Sequence, residues 1–259
     1  MNKIVHLTAA ALAAITLAAC SHIDEDERLI YVKMQAPKRT VLLEDFTGQR
    51  CINCPTATEI IEQLQKEVGD SAIIPVAIHS GPLGFSGNAN TIGLATPLGD
   101  EYYNHFKVEY QPAGLIDRKG PMNHSIWTME AMADMSLDAS VDLKLEASRV
   151  GQEIRISAKA TGAIGDTKGK LQLWITEDSI TALQMMPDGK PNANYIHNHV
   201  LRTAVNGTWG EDITLAEGES KTIEATQAIA PTWNPAQLSV VAFVYDDKGV
   251  KQAAKKKVK

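Results

Sequence analysis

The chain has 259 residues, of which 44% are hydrophobic and 22% charged, and this balance excludes both wholesale disorder and a multispanning membrane protein. The net charge is −6, and the longest basic run is the short stretch Lys255–Lys257. A solvated tail accounts for that run. We therefore expect no nucleic acid among the partners of this protein.

The first twenty residues have the pattern of an export signal. Lys3 supplies a basic start, and the apolar stretch that follows is too short for a comfortable membrane span. The stretch ends in LAAC at Cys20, which resembles a bacterial lipobox, where a cleavage site precedes a cysteine that receives a lipid. We predict a signal peptide over residues 1–19 and lipidation of Cys20. The alternative is an ordinary signal peptide that happens to end beside a cysteine.

Residues 20–39 are predicted to form an acidic tether. They contain the cluster Asp24–Glu27, which is either a solvated spacer or an address. Acidic residues just after a lipidated cysteine resemble the surface-export signal of lipoproteins in the Bacteroidetes. The expected location is therefore the outer membrane, with the chain anchored by lipid and facing either the periplasm or the cell surface.

Residues 40–138 show an alternation of strand and helix patterns. A buried strand is predicted over 41–47, an amphipathic helix from Cys54 onward, and a second buried strand over 72–79, which together make a βαβ unit. A helix over 98–110 and a strand over 113–117 follow. A last helix carries an apolar stripe that we expect to pack in the core, formed by Ile126, Met129, Ala133 and Leu137.

From residue 139 onward the pattern changes to alternation of apolar and polar residues, which is typical of half-buried strands. About seven short strands over residues 139–259 predict an antiparallel β-sandwich of immunoglobulin-like type. The sequence thus predicts two domains, 40–138 and 139–259, and a fold class of α/β followed by all-β.

The only cysteines besides Cys20 are Cys51 and Cys54, in the sequence RCINCP. A helix beginning at Cys54 carries partial positive charge at its first turn, which favours a thiolate on the neighbouring Cys51. Arg50 acts in the same direction. We therefore expect Cys51 to be the exposed attacking sulfur and Cys54 the resolving one.

At this point the chain resembles the thioredoxin-like family. The resemblance implies that Asp45, in the strand before the cysteines, is the buried acid that assists proton transfer, and that Pro112 is a cis-proline facing the disulfide. The chain departs from that family at Arg50 and at the dipeptide Ile52-Asn53 between the cysteines. These departures leave the direction of electron flow open.

Two other roles for the cysteine pair remain open. The first is a passive disulfide that only locks a turn. The second is a metal site, because two cysteines with His79 can hold copper or zinc. His197 and His199 are expected on one face of a strand, which offers two ligands at best. We expect neither a bound metal nor an organic cofactor.

The lipobox, the Cys-x-x-Cys-Pro half and a second half containing HNHVLR together resemble an outer-membrane lipoprotein family of about this mass, which is widespread in the Bacteroidetes. This second resemblance implies location and architecture, whereas the cysteine pair and the thioredoxin-like resemblance imply thiol–disulfide exchange on exported proteins. The alternative is a surface binding protein, adhesin or scaffold with a surface ligand and a non-catalytic disulfide. The enzymatic hypothesis requires the sulfur of Cys51 to be open to solvent.

Overall fold

The computed structural model describes residues 36–259. Of these residues, 47% lie in strands and 17% in helices, and the α-helices of this part of the chain number three. The signal peptide, Cys20 and the acidic cluster at 24–27 lie outside the described residues, as does most of the expected tether. Within the described range, no helix combines the length and the apolar character that spanning a membrane demands.

The first half of the described chain is built around a βαβ unit. The strand and helix patterns of the sequence lie close to their observed positions, because apolar residues with period two or 3.6 bury one face of each element. The elements are β1 (Val41–Thr47), α1 (Cys54–Val68), β2 (Ile73–His79), α2 (Pro97–His105), β3 (Ala113–Ile116), β4 (Met122–Asn123), a 3₁₀ helix (His124–Ile126) and α3 (Trp127–Met135).

The second half consists of strands and one short 3₁₀ helix. The elements are β5 (Val141–Val150), β6 (Glu153–Gly162), β7 (Thr167–Glu177), β8 (Ile180–Met185), β9 (Pro191–His197), β10 (Val200–Ala204), β11 (Glu211–Leu215), β12 (Ser220–Ala228), the 3₁₀ helix (Pro235–Gln237), β13 (Leu238–Asp246) and β14 (Gly249–Lys257). Strands β13 and β14 pair as an antiparallel hairpin whose turn lies between Asp246 and Gly249.

One mixed sheet joins strands from both halves. Its order is β14-β13-β7-β10-β2-β1-β3-β4, with β11 paired to β7. The two halves meet where β10 lies parallel to β2, with Val200 opposite Ala77. A three-stranded sheet, β12-β6-β5, packs through its apolar face on β7, β11 and β13. Strands β8 and β9 form a separate two-stranded hairpin.

The expected fold class, a thioredoxin-like α/β domain followed by an immunoglobulin-like sandwich, is wrong. The described chain is mostly β, and its mixed sheet continues from β1–β4 into strands of the second half. Strand β10 pairs antiparallel with β7 on one side and parallel with β2 on the other, so the strands of the two expected domains form one sheet. Contacts group Gln35–Lys259 into one compact unit, so the boundary at residue 138 stays a prediction.

The apolar stripe of α3 does not lie in the core. Ile126, Met129, Met132 and Leu137 are among the exposed large hydrophobic side chains. The helix buries Trp127, Ala131 and Asp134 instead. Trp127 determines this orientation, since its ring packs over Gly114, where a Cβ atom would lie 2.3 Å from the indole. A tryptophan buries more apolar surface than the methionines, and so it takes the inner position.

Candidate functional site

Cys51 and Cys54 form a disulfide at the start of helix α1. Their Cα atoms are 5.4 Å apart, and α1 begins at Cys54, as the sequence pattern predicts. The turn is closed by backbone hydrogen bonds, since the Cys51 amide donates to Gly48 and the Cys54 amide donates to Cys51. The pair therefore lies at the positive end of a helix, which is one of the two conditions that the enzymatic hypothesis sets.

The second condition, an exposed Cys51, is not met. Cys51 is 1% exposed and Cys54 is 2% exposed. Strand β8 covers the turn, because the side-chain amide of Gln184 donates to the Cys51 carbonyl oxygen at 2.9 Å. Gln49 holds β8 against the turn through two hydrogen bonds. Its side-chain amide donates to the Leu183 carbonyl oxygen at 2.9 Å, and its backbone carbonyl oxygen accepts from the Met185 amide. The expectation of an exposed attacking sulfur is wrong in this structure.

Asp45 lies beside the disulfide in a small buried cavity. The cavity measures about 30 Å³, and Asp45 and Cys54 both line it. Asp45 is 2% exposed, and its Oδ1 atom has no hydrogen-bond partner. Burial raises the pKa of Asp45 to about 7, because the charged carboxylate loses its hydration without gaining a cation. This carboxyl can therefore take up or release a proton near neutral pH.

Two histidines close the other side of this cavity. His79, at the end of β2, and His197, at the end of β9, have ring centroids 5.1 Å apart. Burial lowers the pKa of His79 well below its ordinary value, helped by the charges of His197 and Arg202. Burial also lowers the pKa of His197 to about 4, against backbone hydrogen bonds that raise it. Both imidazoles are therefore neutral at physiological pH.

The remaining sequence-predicted residues lie apart from this cavity. Pro112 follows a cis peptide bond and is buried at the start of β3, but it does not line the cavity. Arg50 is exposed, and its guanidinium lies 5.1 Å from the centroid of the Phe85 ring. His199 lies outside any strand, with Nδ1 3.0 Å from Asp178, so it does not share a strand face with His197 as expected.

A larger opening lies elsewhere, between the end of α2 and the mixed sheet. This aromatic cleft has a volume of about 720 Å³ and is lined by the rings of Phe106, Trp209 and Tyr245. All three rings are half-buried, so they keep surface for contact with another molecule. Charged side chains surround the rings at the rim: Lys168, Lys170, Asp212, Asp246 and Asp247.

Arg118 forms the floor of the aromatic cleft. Its guanidinium lies 4.3 Å from the centroid of the Tyr245 ring and binds the carboxylate of Glu44 at 3.2 Å. Glu44 is completely buried, so burial raises its pKa even though Arg118 acts to lower it. The Arg118–Glu44 ion pair thus lies beneath the aromatic rings, and the charged side chains of the rim lie around the opening.

Sequence reasoning missed the covering hairpin, the histidine pair and the aromatic cleft. Each is assembled from residues far apart in the chain: Gln184 contacts a residue 133 positions away, and Trp209 and Phe106 belong to different halves. No local period or spacing predicts such contacts. The one available signal was His79 at the end of a strand, which places it at the same edge of the sheet as Thr47.

Comparison with known families gives one match. The model of the family described as outer membrane protein Omp28 matches residues 99–259, which is more than half of the chain. The match does not include Cys51 or Cys54, so it is independent of the cysteine pair. No curated protein matches the chain.

Three solved structures are similar to this one. HBP35 of Porphyromonas gingivalis is 16% identical with a TM-score of 0.69, covering 86% of this chain and 77% of its own. A protein from Agrobacterium tumefaciens is 14% identical with a TM-score of 0.52, and the similarity covers 85% of this chain and 95% of its own. A domain of the outer membrane lipoprotein Omp28 from Porphyromonas gingivalis is 27% identical over 46% of this chain and 88% of its own, with a TM-score of 0.35. The first two similarities concern the fold alone.

Proposed function

Because this chain belongs to the Omp28 family of outer membrane proteins, we propose that it is a lipid-anchored ligand-binding protein whose binding site is the aromatic cleft. The protein is located in the outer membrane. Cys20 carries the anchor in this proposal, and the cysteine pair locks the turn before α1.

The observation that carries this proposal is the contrast between the two candidate sites. The disulfide lies beneath β8 with Cys51 only 1% exposed, whereas the aromatic cleft is open and has a volume of about 720 Å³. Ligand pockets in proteins measure roughly 300–1,000 Å³ and combine aromatic walls with a few polar groups. The aromatic cleft has both properties, and the disulfide has no surface to offer a partner.

The composition of the aromatic cleft indicates the chemistry of its ligand. Trp209 and Tyr245 offer ring faces, while the rim alternates lysines and aspartates, such as Lys170 and Asp212 at 2.7 Å from each other. Rings favour a flat apolar surface, and paired charges favour a molecule with both donors and acceptors. We expect a small amphipathic ligand rather than a strongly charged one.

Replacing Trp209 by alanine tests the assignment. A panel of soluble glycans, nucleotides and short peptides is titrated while tryptophan fluorescence is recorded. We expect a ligand that binds the wild-type protein and binds Trp209→Ala at least tenfold more weakly, because truncating one central aromatic costs more than about 1.4 kcal/mol in typical binding sites. Trp233→Ala is the matched control, since Trp233 packs against the apolar core between the three-stranded sheet and strands β7, β11 and β13. Equal binding by both variants, or no binding by the wild type, would contradict the proposal.

A second candidate function, thiol–disulfide exchange on exported proteins, is favoured by Asp45. A carboxyl that burial holds near a pKa of about 7, next to Cys54, is suited to exchange a proton with the resolving thiol. In this candidate, a thiol partner first reduces the Cys51–Cys54 bond and is itself oxidised to a disulfide, and β8 must move away before the Cys51 thiolate attacks a substrate disulfide. Cys51, Cys54, Asp45 and Pro112 then keep the roles that the sequence predicts.

Trapping separates the two candidates. In the exchange mechanism, Cys54→Ser leaves the mixed disulfide between Cys51 and a substrate unresolved. Such adducts should accumulate in the cell envelope and disappear on reduction. The double variant Cys51→Ser/Cys54→Ser is the control. If Cys54→Ser forms no adducts while it reaches the outer membrane normally, the exchange function is excluded and the binding function stands.

A further inference from the structure

The small cavity beside Cys54 contains three buried polar atoms without hydrogen-bond partners. They are Oδ1 of Asp45, Nδ1 of His79 and Nε2 of His197, and the three side chains are 2%, 3% and 5% exposed. A buried polar atom without a partner costs free energy, so native proteins satisfy such atoms with a water or a ligand. A cavity of about 30 Å³ has room for one small occupant.

His197 has the hydrogen bonding of a metal-ligating histidine. It bonds to the backbone of Leu183 and Ala182, while its Nε2 atom is unpartnered, so the backbone bonds are made through Nδ1. Histidines that bind metals donate one ring nitrogen to a carbonyl, which fixes the tautomer and directs the other lone pair at the ion. The ring of His79, whose Nδ1 atom is also unpartnered, lies with its centroid 5.1 Å from that of His197.

The cysteine pair supplies the remaining ligands only when it is reduced. In the oxidised form described here, no three His, Cys, Asp or Glu side chains within residues 36–259 are placed to hold an ion. Reduction of Cys51–Cys54 by a small thiol transfers two electrons and two protons to the pair and leaves the reductant as its own disulfide. The two sulfurs can then separate by side-chain rotation, and Cys54 already lines the cavity.

We propose that reduction converts the Cys51–Cys54 turn, together with His79 and His197, into a tetrahedral Zn²⁺ site. Two cysteines in Cys-x-x-Cys spacing and two histidines are an established donor set for Zn²⁺. Binding displaces the two thiol protons, so two thiolates cancel the charge of the ion and the buried complex is neutral. Asp45 lies beside the ligands in the same cavity. This site is independent of the aromatic cleft.

The test uses the full chain in detergent, with Zn²⁺ itself as the probe. After reduction by a phosphine, bound Zn²⁺ is measured by competition with a chromophoric chelator, and Co²⁺ replaces Zn²⁺ for absorption spectra. We expect one Zn²⁺ per reduced chain, none per oxidised chain, and thiolate-to-cobalt bands typical of a tetrahedral site. His79→Asn and His197→Asn should each weaken Zn²⁺ binding at least tenfold.

His124→Asn is the matched control, because His124 lies in the 3₁₀ helix before α3 and lines neither the small cavity nor the aromatic cleft. It should bind Zn²⁺ like the wild type. Near-ultraviolet circular dichroism verifies that each reduced variant is folded. The proposal is overturned if the reduced chain binds no Zn²⁺, if the oxidised chain binds it equally well, or if both histidine variants bind it like the control. It is also overturned if the disulfide cannot be reduced without loss of the fold.

Discussion

Replacing Arg118 by methionine is expected to destabilise the folded chain by about 3–5 kcal/mol, the cost of leaving a buried charge without its partner. Glu44 is completely buried, and Arg118 binds its carboxylate through Nε and Nη2 at 3.2–3.3 Å. Methionine keeps much of the volume beneath the aromatic rings, so the loss reports the charge more than a cavity. Urea unfolding gives the free energy of unfolding for each variant.

The loss of unfolding free energy in Arg118→Met should increase with pH. Burial already raises the pKa of Glu44 in the folded state, and removing Arg118 takes away the charge that lowers it. A group whose folded pKa lies above its unfolded value loses stability as pH rises through the folded pKa. Arg118→Met should therefore be more harmful at pH 8 than at pH 5.

Two variants test the physical reason for this loss. Lys38→Ala breaks an exposed ion pair with Asp138, and we expect it to change the free energy of unfolding by less than about 1 kcal/mol. The double variant Arg118→Met/Glu44→Leu removes both charges and should recover most of the stability. A loss below about 1 kcal/mol in Arg118→Met would show that Glu44 does not depend on its partner.

Replacing Asp45 by asparagine is expected to stabilise the chain at pH 8 by up to about 4 kcal/mol. Burial raises the pKa of Asp45 from 3.8 to about 7, and each unit of difference corresponds to about 1.4 kcal/mol. The folded state binds the proton more tightly than the unfolded state does. Stability is thus full below pH 4, falls as the pH rises to about 7, and stays low above it. Asparagine does not ionise, so Asp45→Asn removes this loss of stability at high pH.

The measurement is the free energy of unfolding of the oxidised protein from pH 4 to pH 8. Asp117, whose pKa burial also raises to about 7, is present in both proteins, so the difference between the two curves isolates Asp45. Asp188→Asn, which changes an exposed carboxyl, is the control and should leave the curve unchanged. If Asp45→Asn is less stable than the wild type at pH 8, the carboxylate has a stabilising partner.

Local sequence patterns predicted the elements around the cysteines well. The strand over 41–47, the helix from Cys54 and the strand over 72–79 are confirmed, because each signal comes from apolar spacing within one element. The hairpin of β8 and β9 was missed. Its first strand, ITALQM, buries Ala182 and the polar Gln184 and leaves its larger apolar residues half-buried, so its apolar residues have no clear period of two.

The contacts between elements could not be predicted. The parallel pairing of β10 with β2 rests on the single pair Val200 and Ala77, and nothing in either strand specifies it. The same limit applies to the burial of Cys51, which depends on Gln184, and to the exposed stripe of α3. Helical spacing identifies which residues share a face, but it does not say which face the rest of the chain covers.

Strand β8 covers the disulfide but lies far behind the cysteines in the chain, and this distance sets an order of events during synthesis and export. Cys51 and Cys54 belong to the first part of the chain, whereas Gln184 arrives more than a hundred residues later. Since the amino end emerges first, both thiols are accessible for as long as β8 is still unmade or untranslocated. The sulfur–sulfur bond can form freely in that interval. Once the hairpin folds over it, oxidants and reductants reach the bond only through local opening of the mature protein.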